Sequence, residues 1–190
     1  MLTSPPMEEQ ARPVRHSQTT ITELMVPSYA NFGGKIHGGI LLSLMDKVAY
    51  ACSSKHAGTY CVTVSVDNVE FLQPVEVGEL VSMHASVNYV GRTSLVVGIR
   101  VEALNVKTNV MKHTNSSFFT MVAKGDDEKP AVVPKLILET REDVKRFIEA
   151  MRVREIKATM KEQMDDAHSG IEVDKADELL NNQRCVLKYR

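Results

Sequence analysis

Apolar side chains dominate positions 40–52, and a single carboxylate, Asp46, lies among them. A run of this length that is apolar on nearly every face predicts a buried helix over about 38–55, and Gly58 is a typical residue to end it. The polar residues of this helix form a thin stripe at helical spacing, made by Ser43, Lys47, Tyr50 and Ser54.

Beyond this helix the hydrophobic period falls from about 3.6 residues to two, which is the pattern of half-buried strands. Together with an earlier β-branched run, the pattern predicts strands at 17–26, 60–71, 80–90, 95–106 and 110–124. A change of phase at Asp67-Asn68 predicts a β-bulge there. The short connections predict antiparallel hairpins, so that the last four strands form a meander.

The predicted order is one strand, one long helix and four further strands, and such a sheet needs an apolar cover on its inner face. Because the central helix is the element that can supply this cover, the predicted fold is α+β. A curved antiparallel sheet of about five strands wraps a long helix, which is the hotdog arrangement, over residues 17–125. The uncovered helix surface and the sheet edges predict at least a dimer.

The segments outside this domain are less regular. Residues 1–16 contain three prolines and no period, which predicts a flexible lead. Positions 126–164 predict a connector and a C-terminal helix that begins with a capping box at 140–143. Residues 165–190 are polar and interrupted by glycine, which predicts a mobile tail with a short helix near 175–180.

The composition limits the classes of function. The chain has 190 residues, 43% of them hydrophobic, and a net charge of −1, so a packed core is feasible and nucleic acid is an unfavourable partner. The three cysteines, Cys52, Cys61 and Cys185, are too few and too scattered to indicate a disulfide framework or a metal site. Without a signal peptide or an apolar run of membrane length, the expected location is the cytoplasm.

The chemistry is expected where a glycine-rich loop, Asn31-Phe-Gly-Gly-Lys-Ile-His-Gly-Gly39, leads into the helix. Bare glycines at a helix start leave N–H groups that can bind an oxyanion or a carbonyl, and a carboxylate can act as general base or nucleophile. Gly39 and Asp46 share one helix face but lie about 10 Å apart along the axis. Two antiparallel helices would bring Gly39 of one protomer to Asp46 of the other, so the site is expected at a dimer interface.

Each residue of this group also has a purely structural interpretation. Gly38 can be a close packing contact, and Asp46 can form a salt bridge with Lys47. His37 can simply start the helix, and Asn31 can be a left-handed turn residue. It is their combination in this order that favours a functional site.

The stretch 27–49, with Asn31, the paired glycines and Asp46 in this order, resembles the signature of the hotdog acyl-CoA thioesterases, the acyl-CoA hydrolase family of bacteria and of the eukaryotic cytosol. The likeness covers roughly 18–125 and, more weakly, the second helix. It implies hydrolysis of a fatty acyl-CoA thioester to free CoA and a carboxylate. Coenzyme A would be bound as part of substrate and product, no other cofactor or metal would be required, and hexamers built as trimers of dimers are common in the family.

Carried over by position, Asp46 would be the general base or nucleophile, Asn31 of the partner protomer would orient the water or the carbonyl, and the Gly39 amide would polarise that carbonyl. The resemblance also implies that CoA lies along the strand after the helix. The CoA-binding candidates are Val64, Ser65 and Val66 on this strand, Arg92, Thr93, Ser94 and Leu95 in a turn beside it, and Arg154 on the second helix. An ordinary hairpin turn and a solvated helix face are the structural alternatives for Arg92 and Arg154.

Two other functions stay open from the sequence. Some hotdog proteins hold acyl-CoA as a regulatory ligand without cleaving it, so a metabolite-sensing module is the alternative. Such a binder has no need of a carboxylate in an apolar helix, and this argues against it. A hotdog hydratase would use an Asp/His pair with a spacing different from that between His37 and Asp46.

Overall fold

The computed structural model describes residues 10–169, 173, 176–180, 183–186 and 188. Its elements are β1 (Ala11–Pro13), α1 (Val14–Ser17), β2 (Thr19–Leu24), α2 (Gly38–Ala57), β3 (Tyr60–Val66), β4 (Leu80–Val90), β5 (Ser94–Asn105), β6 (Val110–Lys124), β7 (Lys135–Ile137), α3 (Arg141–Ser169) and α4 (Ala176–Leu179). The chain divides into two compact units, Met1–Met151 and Arg152–Arg190.

The main sheet is antiparallel and has five strands in the order β2-β4-β5-β6-β3, and α2 contacts all five. This arrangement confirms the predicted hotdog fold. The inner side chains of the strands and one face of the helix form a single core, because both surfaces are apolar and exclude water from each other. Its completely buried members include Met45 and Val48 of α2, Met83 and Val87 of β4 and Met121 of β6.

The predicted meander is wrong in one respect, because β3 does not pair with β4. The strand ends at Val66 rather than at residue 71, the chain runs through 67–79, and β3 itself pairs with β6 at the far edge of the sheet. The register shift lies between Thr63 and Ser65, not at Asp67-Asn68. Alternation along one strand specifies which side chains face the core but not which strand is the neighbour, and that choice depends on long-range packing.

Helix α2 begins at Gly38 as predicted and ends at Ala57, two residues later than expected. His37 is its N-cap residue, and Gly58 ends it in the left-handed conformation with φ of 76°. Along the helix, the side chains that face away from the sheet stay exposed. They belong to Ser43, Asp46, Lys47 and Tyr50.

The predicted flexible lead is wrong for residues 11–16, which lie in β1 and α1, and Ser17 ends α1 rather than starting the first predicted strand. β1 pairs in parallel with β7, and the Arg12 guanidinium donates hydrogen bonds to the carbonyl oxygens of Lys55 and His56, at 3.0 and 2.7 Å. The cation thereby satisfies the last carbonyls of α2 and complements the helix dipole. These contacts join residues more than 40 positions apart, so no local pattern indicates them. Residues 1–9 lie outside the described part of the chain.

The predicted C-terminal helix is present, but it extends to Ser169, five residues into the predicted mobile tail. The Asp143 N–H donates to Thr140 Oγ1 at 3.0 Å and the Thr140 N–H to Asp143 Oδ2 at 2.9 Å, which is the expected capping box. The first compact unit continues beyond the predicted boundary at residue 125, because the Phe147 ring packs on Tyr89 at 5.1 Å. Helix α4 confirms the predicted short helix, while the rest of the predicted tail beyond Ser169 lies largely outside the described residues. Among the described helices, none is both long and apolar enough to cross a membrane.

Candidate active site

The glycine-rich loop is closed by the side chain of Asn31. Its Oδ1 accepts hydrogen bonds from the backbone amides of Gly33 and Lys35, at 2.9 and 3.2 Å. The backbone N–H of Asn31 donates to the Lys35 carbonyl at 2.7 Å. Asn31 is therefore a turn residue, but the left-handed position of the loop is Gly34, with φ of 75°. Because the oxygen is committed to two backbone amides, Nδ2 is the group through which this side chain can donate to a ligand.

The start of α2 is occupied by a histidine ring. His37 Nδ1 accepts a hydrogen bond from the Gly39 amide at 2.9 Å, which satisfies one of the open N–H groups of the first turn. The predicted role of the Gly39 amide therefore requires the His37 ring to turn aside when a carbonyl binds. Gly38 is a close packing contact as well, because a Cβ there would lie 3.1 Å from the Phe71 ring.

Asp46 lies on the open face of α2, and its partner is Thr63 of β3. Thr63 Oγ1 donates a hydrogen bond to Asp46 Oδ1 at 2.6 Å, while Asp46 and Lys47 form no salt bridge within the described residues. A hydroxyl that donates to a carboxylate makes a charge-assisted bond and fixes the carboxylate plane. The structure thus brings together helix and strand residues that are 17 positions apart.

Sequence analysis missed Thr63 as a site residue. The alternation of β3 marks it as one of the polar residues among valines, and nothing local distinguishes it from Ser65. The pairing with Asp46 arises because the edge strand lies along the open side of α2, which only the assembled sheet shows. The register shift directly after Thr63 also changes which side chains of this edge face the helix.

A groove of about 340 Å³ surrounds this contact, lined by Asp46, Lys47 and Tyr50 of α2 and by residues 60–63 of β3. Cys61 lines the groove, but its thiol is no candidate nucleophile, since burial raises its pKa. Burial likewise raises the pKa of the Cys52 thiol to about 12. The described residues contain no group of His, Cys, Asp or Glu side chains that could hold a metal ion.

The predicted CoA-binding residues are dispersed. Val64 and Val66 are exposed and Ser65 is half-buried on the open edge of β3. The turn at 91–94 is not beside this strand, since β6 lies between β5 and β3 and separates them by two strand spacings, about 10 Å. The Leu95 side chain is fully buried in the core, which leaves only its backbone for a ligand. Arg154 is exposed on α3 in the second compact unit.

A larger cavity than this groove lies elsewhere, with a volume of about 650 Å³. It is lined by the residues of β4 and β5 that alternate with the core-facing ones, including His84, Ser86, Asn88 and Arg100. None of the predicted site residues takes part in it. Size alone therefore does not identify the active site here. The groove at Asp46 is the better candidate because it contains the carboxylate that Thr63 holds in place.

Comparison with known proteins identifies the family. A family model described as the thioesterase superfamily matches residues 33–122. Protein VdlD of Helicobacter pylori is 46% identical over 134 residues, which are 70% of this chain and 76% of that protein. The cytosolic acyl coenzyme A thioester hydrolase of Mus musculus is 31% identical over 150 residues, which are 78% of this chain and 39% of that protein.

Solved structures share the fold. An apo-hexameric acyl-CoA thioesterase superposes with a TM-score of 0.78 at 34% identity, covering 80% of this chain and 97% of that one. An acyl-CoA hydrolase from Staphylococcus aureus, solved with butyryl coenzyme A, coenzyme A and coenzyme A disulfide, gives a TM-score of 0.75 at 28% identity, covering 84% and 98%. Alanine mutants of an aspartate and a threonine of that hydrolase, which lie 17 positions apart in its chain, are also known.

A curled antiparallel sheet around one long helix is the fold of the hotdog thioesterases. The matches agree with this class. The chain belongs to the thioesterase superfamily, among its acyl-CoA thioester hydrolases, and is an enzyme that hydrolyses acyl-CoA.

Proposed function

We propose that this thioesterase works at composite sites formed by two protomers, with Asp46 of one protomer as general base or nucleophile and Asn31 and the Gly39 amide supplied by its partner. The observation that carries the proposal is the Thr63–Asp46 hydrogen bond of 2.6 Å on the open face of α2. A carboxylate that is held in place but exposed in the single protomer is suited to meet a substrate and a second chain.

Geometry favours the second chain. Gly39 and Asp46 lie on the same open face of α2 but about 10 Å apart along its axis, too far to act on one carbonyl from the same protomer. The neighbouring edge is also apolar, with Val64 and Val66 of β3 exposed to 61% and 45%. An edge strand with large apolar side chains and unpaired backbone groups is a template for pairing with another copy. An antiparallel helix pair would then align the start of one α2 with Asp46 of the other.

The chemical step follows from these groups. As general base, Asp46 takes a proton from water, the oxygen attacks the thioester carbonyl carbon, and the C–S bond breaks to release CoA as the thiol once it gains a proton. As nucleophile, Asp46 would attack first, and water would hydrolyse the resulting anhydride. In both routes Asn31 Nδ2 and the Gly39 amide stabilise the carbonyl oxygen as it gains negative charge.

Two comparisons support this assignment. In the Staphylococcus aureus hydrolase the aspartate and threonine replaced by alanine are 17 positions apart, the separation of Asp46 and Thr63. The pantetheine arm is proposed to lie along Val64–Val66 on the edge strand of the sheet. The residues proposed to hold the nucleotide end of CoA are Arg92, Thr93, Ser94 and Arg154.

A trimer of dimers is proposed as the assembly, and the hexameric acyl-CoA thioesterase of similar structure supports it.

The first test is a panel of acyl-CoA substrates, with the released thiol measured by a thiol reagent. Asp46→Asn should lower kcat by about 10⁴-fold and should leave CoA binding nearly unchanged. Removing one reacting side chain from an enzyme active site commonly lowers kcat by this order. The matched control is Asp127→Asn, which changes an exposed carboxylate in a loop and should retain full activity. Turnover by Asp46→Asn at the normal rate would contradict the assignment.

The second test addresses the shared site. Asn31→Ala and Asp46→Ala protomers should each be inactive alone, whereas a mixture after subunit exchange should regain activity, because a heterodimer contains one intact composite site. Subunit exchange is verified by mass differences between tagged chains. Verified exchange without recovery would show that each site lies within one chain. Binding of acyl-CoA without turnover by the unmodified protein would instead favour the metabolite-sensing alternative.

A further inference from the structure

The groove beside Asp46 extends beyond the reacting groups. Thr63 is its last lining residue in the direction of Val64, and from there the groove continues towards the start of β3. On the helix side it reaches Tyr50, one turn beyond Asp46. The groove therefore offers space on the side of the Asp46–Thr63 contact that is opposite to the proposed pantetheine path.

Two tyrosines lie at this other end. Tyr50 is about 6 Å along the axis of α2 from Asp46, and Tyr60 is about 10 Å along β3 from Thr63. Their ring centroids are 5.8 Å apart with an angle of 57° between the planes. Rings at this distance and tilt attract each other, so the pair connects helix and strand across the groove.

The direction of the substrate follows from its own chemistry. A thioester carries its sulfur and its alkyl group on different sides of the carbonyl carbon. If the pantetheine arm reaches Thr63 along Val64–Val66, the acyl chain leaves towards Tyr60 and Tyr50. On the strand side, the groove wall along this path includes Cys61, which is 2% exposed, and Val62.

We propose that the Tyr50–Tyr60 pair closes the acyl end of the groove and limits the length of the acyl chain that this enzyme accepts. The inference rests on the proposed active site and adds the residues that determine its specificity for acyl-chain length. A short chain ends against the two aromatic rings and gains contact with them. A longer chain must separate the rings, which removes their mutual contact.

The test compares kcat/KM for a saturated series from acetyl-CoA to palmitoyl-CoA. Tyr50→Ala and Tyr60→Ala should each raise the ratio of long-chain to short-chain kcat/KM by about tenfold or more, since even one methylene group changes discrimination in an apolar pocket by that order. Tyr50→Phe and Tyr60→Phe keep the rings and are matched controls, so they should retain the original ratio. Alanine variants with the original ratio would overturn the proposal.

A binding measurement separates specificity from chemistry. In the Asp46→Asn background, non-hydrolysable S-alkyl-CoA thioethers of increasing length should show the same shift in Kd when either tyrosine becomes alanine. Alanine variants that dissociate into monomers, while the phenylalanine variants stay assembled, would contradict the proposal and assign the rings to the interface. If the unmodified chain hydrolyses no acyl-CoA, the proposed function fails. If it is active and the ratios do not move, the tyrosine assignment alone fails.

Discussion

Thr63 donates a hydrogen bond to Asp46 Oδ1, and this contact decides what the carboxylate can do. With one oxygen oriented by the hydroxyl, the other is available to a water molecule or to the carbonyl carbon. The same logic applies to Asn31, whose oxygen is held by two backbone amides and whose Nδ2 is thereby directed. At the residue scale, each of these candidate side chains has one polar atom fixed by a hydrogen bond within the protein, which orients the other polar atom.

Replacing Thr63 tests this orientation. Thr63→Val keeps the shape but removes the donor, and we expect kcat to fall about 10- to 100-fold, because a hydrogen bond to a charged group contributes about 1.5–3 kcal/mol. KM should change little, since the hydroxyl is bonded to Asp46. Thr63→Ser retains the donor and should keep most of the activity in the same steady-state assay. Equal rates for the valine and serine variants would show that the hydroxyl has no role in orienting Asp46.

At the scale of elements, the C-terminal end of α2 is the point where several distant segments meet. His56 is fully buried there, and its ring is bonded through Nε2 to the carbonyl of Pro134 at 3.0 Å, just before β7. Its Nδ1 has no hydrogen-bond partner among the described residues. A carbonyl can only accept, so the ring is the tautomer with hydrogen on Nε2, and a second proton on Nδ1 would be buried without an acceptor.

This geometry predicts how stability depends on pH. Burial lowers the pKa of His56 in the folded chain, and the nearby Arg12 and His16 lower it further, against the opposing bond to Pro134. The unfolded chain therefore binds the proton first as the pH falls. The contribution of His56 to the free energy of unfolding should be constant above the unfolded pKa of about 6.5 and should decrease as the pH falls below it.

Chemical denaturation between neutral and mildly acidic pH measures this effect. In His56→Gln the side chain can still donate to the Pro134 carbonyl but cannot titrate, so the decrease in this pH range should be smaller. His113→Gln, on β6, is the control and should keep the original pH dependence. An unchanged pH dependence in His56→Gln would exclude His56 as its source.

At the scale of the whole first compact unit, the exposed face of α2 lies next to the edge strand β3. Asp46, the Tyr50–Tyr60 pair and Val64–Val66 lie along this groove and edge. Under the proposed function, a single protomer presents half of a site, and a second protomer completes it. Assembly and activity are predicted to be lost together.

A charge on the edge strand tests this coupling. Val64→Lys places an ammonium on the apolar edge, and we expect the assembly to dissociate, because lysine on an edge strand opposes pairing with another copy. Val110→Lys is a matched control at the β5–β6 end, since Val110 is 58% exposed and Val64 is 61% exposed. Light scattering gives the oligomeric state of both variants. An intact assembly in Val64→Lys would place the interface elsewhere.

By itself, the sequence determined the five strands of the main sheet, the helices α2 and α3, and which of the strand and α2 faces are apolar. The period change after Gly58, the capping box at Thr140 and the alternation of each strand are local, because they depend on backbone geometry and on neighbours three or four residues away. The motif from Asn31 to Asp46 also carried the chemistry, since the residue types and their order were sufficient to indicate a loop, a helix start and a carboxylate.

Only the tertiary structure decided which segments of the chain contact each other. It placed β3 at the edge beside β6, joined Thr63 to Asp46, anchored residues 11–17 through Arg12 and turned the His37 ring onto the Gly39 amide. Each of these contacts, apart from that of His37, joins segments far apart in the chain, and long-range packing selects one pairing among several that local patterns allow equally. The role of the His37 ring was also undetermined by the sequence, because the same neighbouring residues allow the ring either to cap the helix or to face a substrate.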